Sequence, residues 1–222
     1  MNAILYIVRA GCLWRMLPHD FPPYRIVFHY FNQWKKNGLW EQVHDSLRAD
    51  VRRAAGRKPE PTAGILDSQS VKTTESGGTC GFDAGKKVKG RKRHVITDVL
   101  GLILAVGVTA AGVQDRSGAV PFLKEVHREH PTLETIWVDS ACAGQLVTQT
   151  KEALGLNLEV VKRPDISRGF VPVSWRWIGE RTFGWLNRWR RLSKDDERYT
   201  HTTEAIIYVA MSAPMVRRIF RA

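Results

Sequence analysis

The sequence predicts an α/β protein, in which a small helical module precedes a mixed sheet flanked by helices. Two observations lead to this fold class. Residues 1–58 are predicted to be mainly helical, whereas the rest of the chain begins with short β-branched runs and continues with alternating strands and helices. Alternating strand and helix units imply parallel pairing in the second half of the sheet. A polar connector with two prolines, residues 57–61, separates the parts, so we expect a helical module at 1–58 and an α/β domain at 59–222.

Apolar spacing and turn residues locate the individual elements. Helices are predicted at residues 2–10, 24–37, 39–55, 115–130, 146–154, 175–194 and 203–220. Strands are predicted at residues 63–71, 94–99, 102–108, 134–139 and 158–162. A long polar loop is expected to open at Glu75 and to continue through Gly90, and the two strands after it form a hairpin.

The charge of the chain indicates a polyanionic partner. Lys and Arg number 34 against 22 Asp and Glu, which gives a net charge of +12 and a pI near 10.0. Such a surface attracts nucleic acid, although a basic protein kept soluble by its charge is the plainer alternative. The scattered cysteines (Cys12, Cys80 and Cys142) favour a reducing compartment such as the cytoplasm and argue against a structural zinc. No apolar run is long enough for a membrane span, and no signal peptide is evident.

Three acidic residues form the candidate site. Asp67 and Asp139 each end an apolar strand run, which is where α/β sheets present ligating groups, although either alone would be taken for a turn or cap acid. Glu180 is the one acid among six basic residues of the predicted helix 175–194, whereas a solvated face normally mixes signs. Three carboxylates suit Mg²⁺ or Mn²⁺, and the histidines form no zinc-binding pattern. A pair of such ions catalyses phosphodiester displacement.

The order of these acids adds a constraint on the fold. A ribonuclease-H-like fold requires two acids on adjacent strands and a third on a later helix, and the separations here leave room for the intervening elements. The sequence therefore predicts a ribonuclease-H-like domain acting on nucleic acid. Four blocks then resemble the DDE transposases of bacterial insertion sequences, closest to the IS-five group of the IS-four-like superfamily. The blocks are residues 66–72, 86–94, 137–141 and 176–186.

The resemblance implies a catalytic triad of Asp67, Asp139 and Glu180 that also binds two divalent metal ions, Mg²⁺ or Mn²⁺. It further implies cleavage and strand transfer of insertion-sequence ends, with transposon-end and target DNA as partners and a homo-oligomer on the DNA. The last motif of the superfamily has a Tyr and a Lys where this chain has Val173 and Asn187, and Arg188 or Arg191 is expected to replace the Lys. Met1 falls inside a predicted helix, so we expect an N-terminally truncated copy.

Basic residues near the acids are the predicted DNA contacts. Six of them and no acid lie between Gly85 and His94, which is expected to form a phosphate clamp beside Asp67 or, alternatively, a solvated loop. The predicted phosphate-binding residues are Lys86, Lys87, Arg91, Lys92, Arg93, Arg176, Arg181 and Arg188. Three other functions stay open: an inactive DNA-binding remnant, a ribonuclease-H-fold nuclease without strand transfer, and a basic structural protein.

Overall fold

The computed structural model describes residues 1–113, 115–139, 145–161 and 175–220. Its helices are α1 Asn2–Ala10, α2 Tyr24–Lys36, α3 Leu39–Ala54, α4 Asp115–Glu129, α5 Gln145–Leu154, α6 Arg176–Asn187, α7 Arg190–Ser193 and α8 Thr200–Ile219. Its strands are β1 Ala63–Lys72, β2 Gly81–Asp83, β3 Val88–Thr97, β4 Ile103–Ala110, β5 Thr135–Val138 and β6 Asn157–Val160. None of the helices in these ranges is both long and apolar enough to cross a membrane.

The sheet is antiparallel in its first half and parallel in its second. Strand β3 pairs antiparallel with β1 on one side and with β2 and β4 on the other. Strand β5 pairs parallel with β1, and β6 pairs parallel with β5. With the short β2 left aside, the strand order is β4-β3-β1-β5-β6, so β1, which carries Asp67, is adjacent to β5, which ends just before Asp139. This mixed sheet, covered by helices, confirms the predicted ribonuclease-H-like organisation.

Hydrophobic residues pack on both faces of the sheet because neighbouring strand residues point to opposite sides. On one face, Leu123 and Val126 of α4 pack in a cluster with Ile96 of β3. On the other face, Val95 joins a cluster that includes Ile207 of α8, and α8 is buried along most of its length. The long helix α8 is therefore a central core element of this face.

The N-terminal helices share that second cluster. Ile4 and Ile7 of α1 and Phe31 of α2 are almost fully buried in it, together with residues of β3, β4, α6 and α8. Residues from both sides of the connector at 57–61 therefore share one hydrophobic core. The domain boundary near residue 58 stays a prediction. In the structure, the last N-terminal helix ends before this point and the first strand begins after it.

Two expectations about local structure are wrong. The polar loop does not continue through Gly90, because β2 forms at residues 81–83 and β3 begins at Val88. The helix expected over 175–194 is two helices, α6 and α7. Trp189 between them has an extended backbone (φ −95°, ψ 114°), and its side chain is 7% exposed, so burial of the indole accompanies the break.

Candidate active site

The two aspartates of the predicted triad line the same cleft: Asp67 lies in the middle of β1, and Asp139 directly follows the end of the neighbouring β5. The parallel ladder between β1 and β5 ends at the pair of Ile65 with Trp137, and Asp67 and Asp139 each lie two residues beyond that pair along the chain. Both are half-buried and line one small cleft. The backbone N–H of Ser68 donates to Asp67 Oδ1 at 2.8 Å.

The third acid, Glu180, is beside this cleft but does not line it. Glu180 is exposed on α6. Its neighbour Gly179 packs against Asp67 so closely that a Cβ at position 179 would lie 2.5 Å from Asp67 Oδ2 and 2.9 Å from Asp67 Cβ. Within the described ranges, no three His, Cys, Asp or Glu side chains are arranged to hold a metal ion. The structure therefore brings two of the carboxylates together and holds the helix of the third against them.

Helix α6 is fixed in this place by the turn between β3 and β4. Thr182 Oγ1 donates to the carbonyl oxygen of Gly101 at 3.0 Å, and Arg181 Nη2 donates to that of Leu100 at 3.0 Å. Gly101 has a φ of +78°, and a Cβ there would lie 3.0 Å from Thr182 Oγ1. The turn therefore requires glycine for its backbone angle as well as for the approach of α6.

A pair of tryptophans forms one wall of the cleft, and sequence reasoning missed it. The rings of Trp137 and Trp175 are parallel with centroids 4.2 Å apart. Trp137 Nε1 donates to Glu159 Oε2 at 2.9 Å, which fixes the orientation of its indole. Trp175 precedes α6 and is 36% exposed. The sequence does place a Trp close to each of two candidate acids, Trp137 near Asp139 and Trp175 near Glu180. Nothing in the spacing indicates that the two rings meet.

The tip of the β2–β3 hairpin carries exposed lysines near Asp67. Lys86 and Lys87 are exposed, and Lys86 Nζ donates to the carbonyl oxygen of Ser68, the residue after Asp67, at 3.0 Å. The Ser70 hydroxyl and the backbone N–H of Lys86 donate to Asp83 and lower the pKa of its carboxyl group. Asp83 thus stays ionised and anchors the hairpin on β1.

The second half of the basic segment does not form the expected clamp. Arg91 is 0% exposed: its Nη1 contacts Asp195 Oδ1 at 3.0 Å, and its other nitrogens donate to the carbonyl oxygens of Thr79 and Arg198. Asp195 is also fully buried and accepts from the Thr203 hydroxyl at 2.9 Å. Sequence reasoning missed Asp195, because nothing in its local sequence reveals a partner on a distant strand.

The two residues after Arg91 are buried as well. Arg93 donates to the carbonyl oxygens of Leu192 and Lys194, and burial lowers its pKa to about 10. Lys92 is 5% exposed and donates to the carbonyl oxygen of Val113 at 3.0 Å. The prediction of Arg91, Lys92 and Arg93 as phosphate contacts is therefore corrected, since these side chains bind the protein itself.

The remaining predicted DNA contacts differ in their surroundings. Arg181 is half-buried and stacks over Trp177 and Trp185, at 5.6 and 4.9 Å from the ring centroids. Arg188 is exposed, as is Asn187. Arg191, which was expected as a substitute for the motif Lys, is 6% exposed and paired with Glu197 at 2.7 Å, so it does not face DNA. The side chain of Arg176 and the residues Val173 and Cys142 lie outside the described part of the chain.

Comparison with protein families gives two matches. A family model described as a transposase DDE domain matches residues 58–213. A second model, described as a putative transposase of the IS4/5 family, matches residues 1–44.

Comparison with individual proteins gives a relative and a solved structure. A putative transposase for insertion sequence element IS402 from Burkholderia cepacia is 28% identical over 110 residues, which cover 46% of this chain and 52% of the relative. The match thus spans about half the length of that relative. The crystal structure of the Mos1 Strand Transfer Complex is similar at 12% identity with a TM-score of 0.31, over 82% of this chain and 62% of that one.

Proposed function

The chain belongs to the transposase DDE domain family, and on that premise we propose that it cleaves insertion-sequence ends and transfers the strand ends to target DNA. The observation that supports the proposal is that Asp67 of β1 and Asp139, directly after β5, line the same cleft, with Gly179 of α6 packed against Asp67. Glu180 completes the proposed set by turning its exposed side chain toward the cleft. The reducing cytoplasm is the proposed compartment, consistent with free Cys12 and Cys80.

Members of this family generally use divalent metal ions, and we assign two Mg²⁺ or Mn²⁺ ions to this site. The donor chemistry fits, because hard cations prefer carboxylate oxygens and Asp67 and Asp139 line the same cleft. When bound, such ions provide Lewis-acid stabilisation and an activated water or 3′-hydroxyl. Asp67 and Asp139 hold the ions beside the scissile phosphate, and Glu180 supplies the remaining carboxylate.

The partners in this proposal are transposon-end and target DNA. Lys86 and Lys87 at the hairpin tip are exposed beside the cleft, and Arg181 directly follows Glu180 on α6, so we retain these three with Arg176 as phosphate contacts at the cleft, while Arg188 lines a separate pocket. Lysine and arginine contacts to phosphates position DNA without reading its sequence. Because strand transfer joins paired ends, we also propose that the chain acts as a homo-oligomer on DNA.

The test is the replacement of each carboxylate by its amide. In Asp67→Asn, Asp139→Asn and Glu180→Gln we expect Mg²⁺-dependent nicking of DNA to fall by at least about 10³-fold, because ligated metal contributes several kcal/mol of transition-state stabilisation. DNA binding in EDTA should persist. Asp50→Asn, which changes an exposed carboxylate on α3, is the matched control. Nicking at the parental rate by all three amide variants would refute the assignment.

A second assay separates transposition from simple hydrolysis. DNA carrying a free 3′-hydroxyl end would be incubated with the protein, Mg²⁺ and a target plasmid. The proposal expects joined products, whereas a ribonuclease-H-fold nuclease would give cut DNA alone. Absence of both nicking and joining in the parental protein would support the inactive DNA-binding remnant.

A further inference from the structure

A cavity of about 480 Å³ lies on the side of the molecule where the C-terminal ends of α1, α6 and α8 meet. Among the described residues, its lining has four arginines, two tryptophans and a proline, and no acidic residue. The arginines are Arg9, Arg188, Arg217 and Arg218, and the others are Trp185, Trp189 and Pro214. This volume falls in the range of ligand-binding pockets. As far as the chain is described, it shares no lining residue with the cleft of Asp67 and Asp139.

The arginines of this pocket are not paired with any acidic residue that the structure describes. In the described ranges, no carboxylate lies within ion-pair distance of Arg9, Arg188, Arg217 or Arg218. The three helix ends contribute roughly half a negative charge each, which offsets less than half of four guanidinium charges. Partial burial, together with the nearby Arg181, lowers the pKa of Arg218. The site therefore has a surplus of positive charge and is suited to a bound anion.

The tryptophans orient the guanidinium groups. The Arg218 guanidinium lies 4.7 Å from the Trp185 ring centroid, and that of Arg181 lies 4.9 Å from it. Arg9 lies 5.4 Å from the ring centroid of Trp189, and its Nη1 donates to the carbonyl oxygen of Arg188 at 2.9 Å. Because guanidinium groups already cover these indoles, the rings serve as supports for arginines. Preorganised guanidinium groups suit phosphate oxygens.

We propose that this pocket binds backbone phosphates of a DNA strand, as a second contact surface outside the catalytic cleft. The choice of DNA rests on the proposed function, which brings DNA to Glu180 on the same helix. Trp185 is five residues further along α6, about 7.5 Å along the axis, but roughly 140° around it. The pocket therefore contacts a different part of the nucleic acid from the part beside Glu180.

The test measures the salt dependence of DNA binding in EDTA, where no cleavage occurs. The probe is a short fluorescent DNA duplex, titrated by anisotropy between about 50 and 200 mM salt. In Arg188→Gln/Arg217→Gln, both exposed side chains lose their charge. We expect weaker binding and a slope of log affinity against log salt that is smaller by about 1.8, since each lost phosphate contact removes about 0.9.

The control removes two positive charges from the opposite face of the sheet. Lys124 and Arg128 are exposed on α4, and Lys124→Gln/Arg128→Gln should leave the slope close to its parental value. Arg188→Lys/Arg217→Lys should restore most of the lost slope. An unchanged slope in the pocket variant, or an equal decrease in the α4 variant, would overturn the proposal. These results do not depend on nicking, so loss of the proposed catalysis and loss of this site are distinguishable.

Discussion

Two groups of arginines in this chain have opposite surroundings. Arg91 and Arg93 on β3 are fully buried and bind Asp195 and backbone carbonyl oxygens. Arg188 and Arg217, at the pocket between the ends of α6 and α8, are exposed and have no acidic partner in the described part of the chain. The first group stabilises the fold, whereas the second is available to a ligand. The difference shows that a cluster of basic residues in a sequence identifies a binding surface only when its partners are known.

The largest stability effect is expected at the buried pair. Asp195→Ala leaves the Arg91 charge buried without its carboxylate, so we expect a loss of about 3–5 kcal/mol in the free energy of unfolding. Urea denaturation would measure it. Asp50→Ala breaks an exposed pair with Arg53 and should cost at most about 1 kcal/mol. Equal effects of the two variants would remove the distinction between buried and exposed charges.

A smaller change should separate activity from stability at the cleft. In Gly179→Ala the added methyl group displaces Asp67, and a misplacement of about 1 Å costs roughly 10²-fold in rate. Gly184→Ala on the same helix is the control, because a Cβ there meets nothing within 4 Å. It should nick DNA normally and gain up to about 1 kcal/mol in stability, since alanine favours helix. Parental nicking by Gly179→Ala would show that this contact does not position the carboxylate.

Glu204 on α8 contrasts with Asp195, because it is a half-buried acid for which no basic partner is found among the described residues. Burial raises its pKa from 4.5 to about 7, although its Oε1 accepts from the backbone N–H of Val108 at 2.9 Å. Because the folded state binds this proton more tightly than the unfolded state does, protonated Glu204 contributes to the free energy of unfolding. This contribution is fully present below about pH 4.5 and is lost as pH rises through 7.

Glu204→Gln removes this titration. Between pH 5 and pH 8 the parental protein should lose on the order of 2 kcal/mol of its free energy of unfolding relative to the variant. Urea unfolding of both proteins at the two pH values would measure the difference. The same pH dependence in both would mean that Glu204 is not the group responsible.

The smallest stability effect is expected at the pocket. Arg188→Gln/Arg217→Gln should change the free energy of unfolding by no more than about 0.5 kcal/mol, because neither side chain is buried or paired with an acid in the described ranges. Thermal unfolding monitored by circular dichroism would test this. A loss comparable to that of Asp195→Ala would place these arginines with the structural group instead.

Local sequence patterns predicted most helices and strands, because the apolar periodicity of α2, α3 and α8 and the β-branched residues of β4 and β5 are strong local signals. The pairing of Arg91 with Asp195 could not be predicted, since the two residues are far apart in sequence and a charged strand resembles a loop. The break between α6 and α7 at Trp189 could not be predicted from the local sequence either, because it depends on burial of the indole in a core formed by distant helices.

The sequence predicted that Asp67 and Asp139 each end an apolar strand run. In the structure Asp139 directly follows β5, whereas Asp67 lies in the middle of β1, and both line one cleft. The role of Gly179 was not predictable. A glycine inside a helix is locally unfavourable, and only the approach of Asp67 explains why a side chain is not accommodated there.

The shared core across the connector has a practical consequence for anyone dissecting this protein. Ile4, Ile7 and Phe31 cover apolar side chains of α8 and the sheet. A recombinant fragment that starts at the connector would expose this apolar surface to water, and such surfaces drive aggregation. Mixing that fragment with a synthetic peptide spanning the first three helices should restore its solubility.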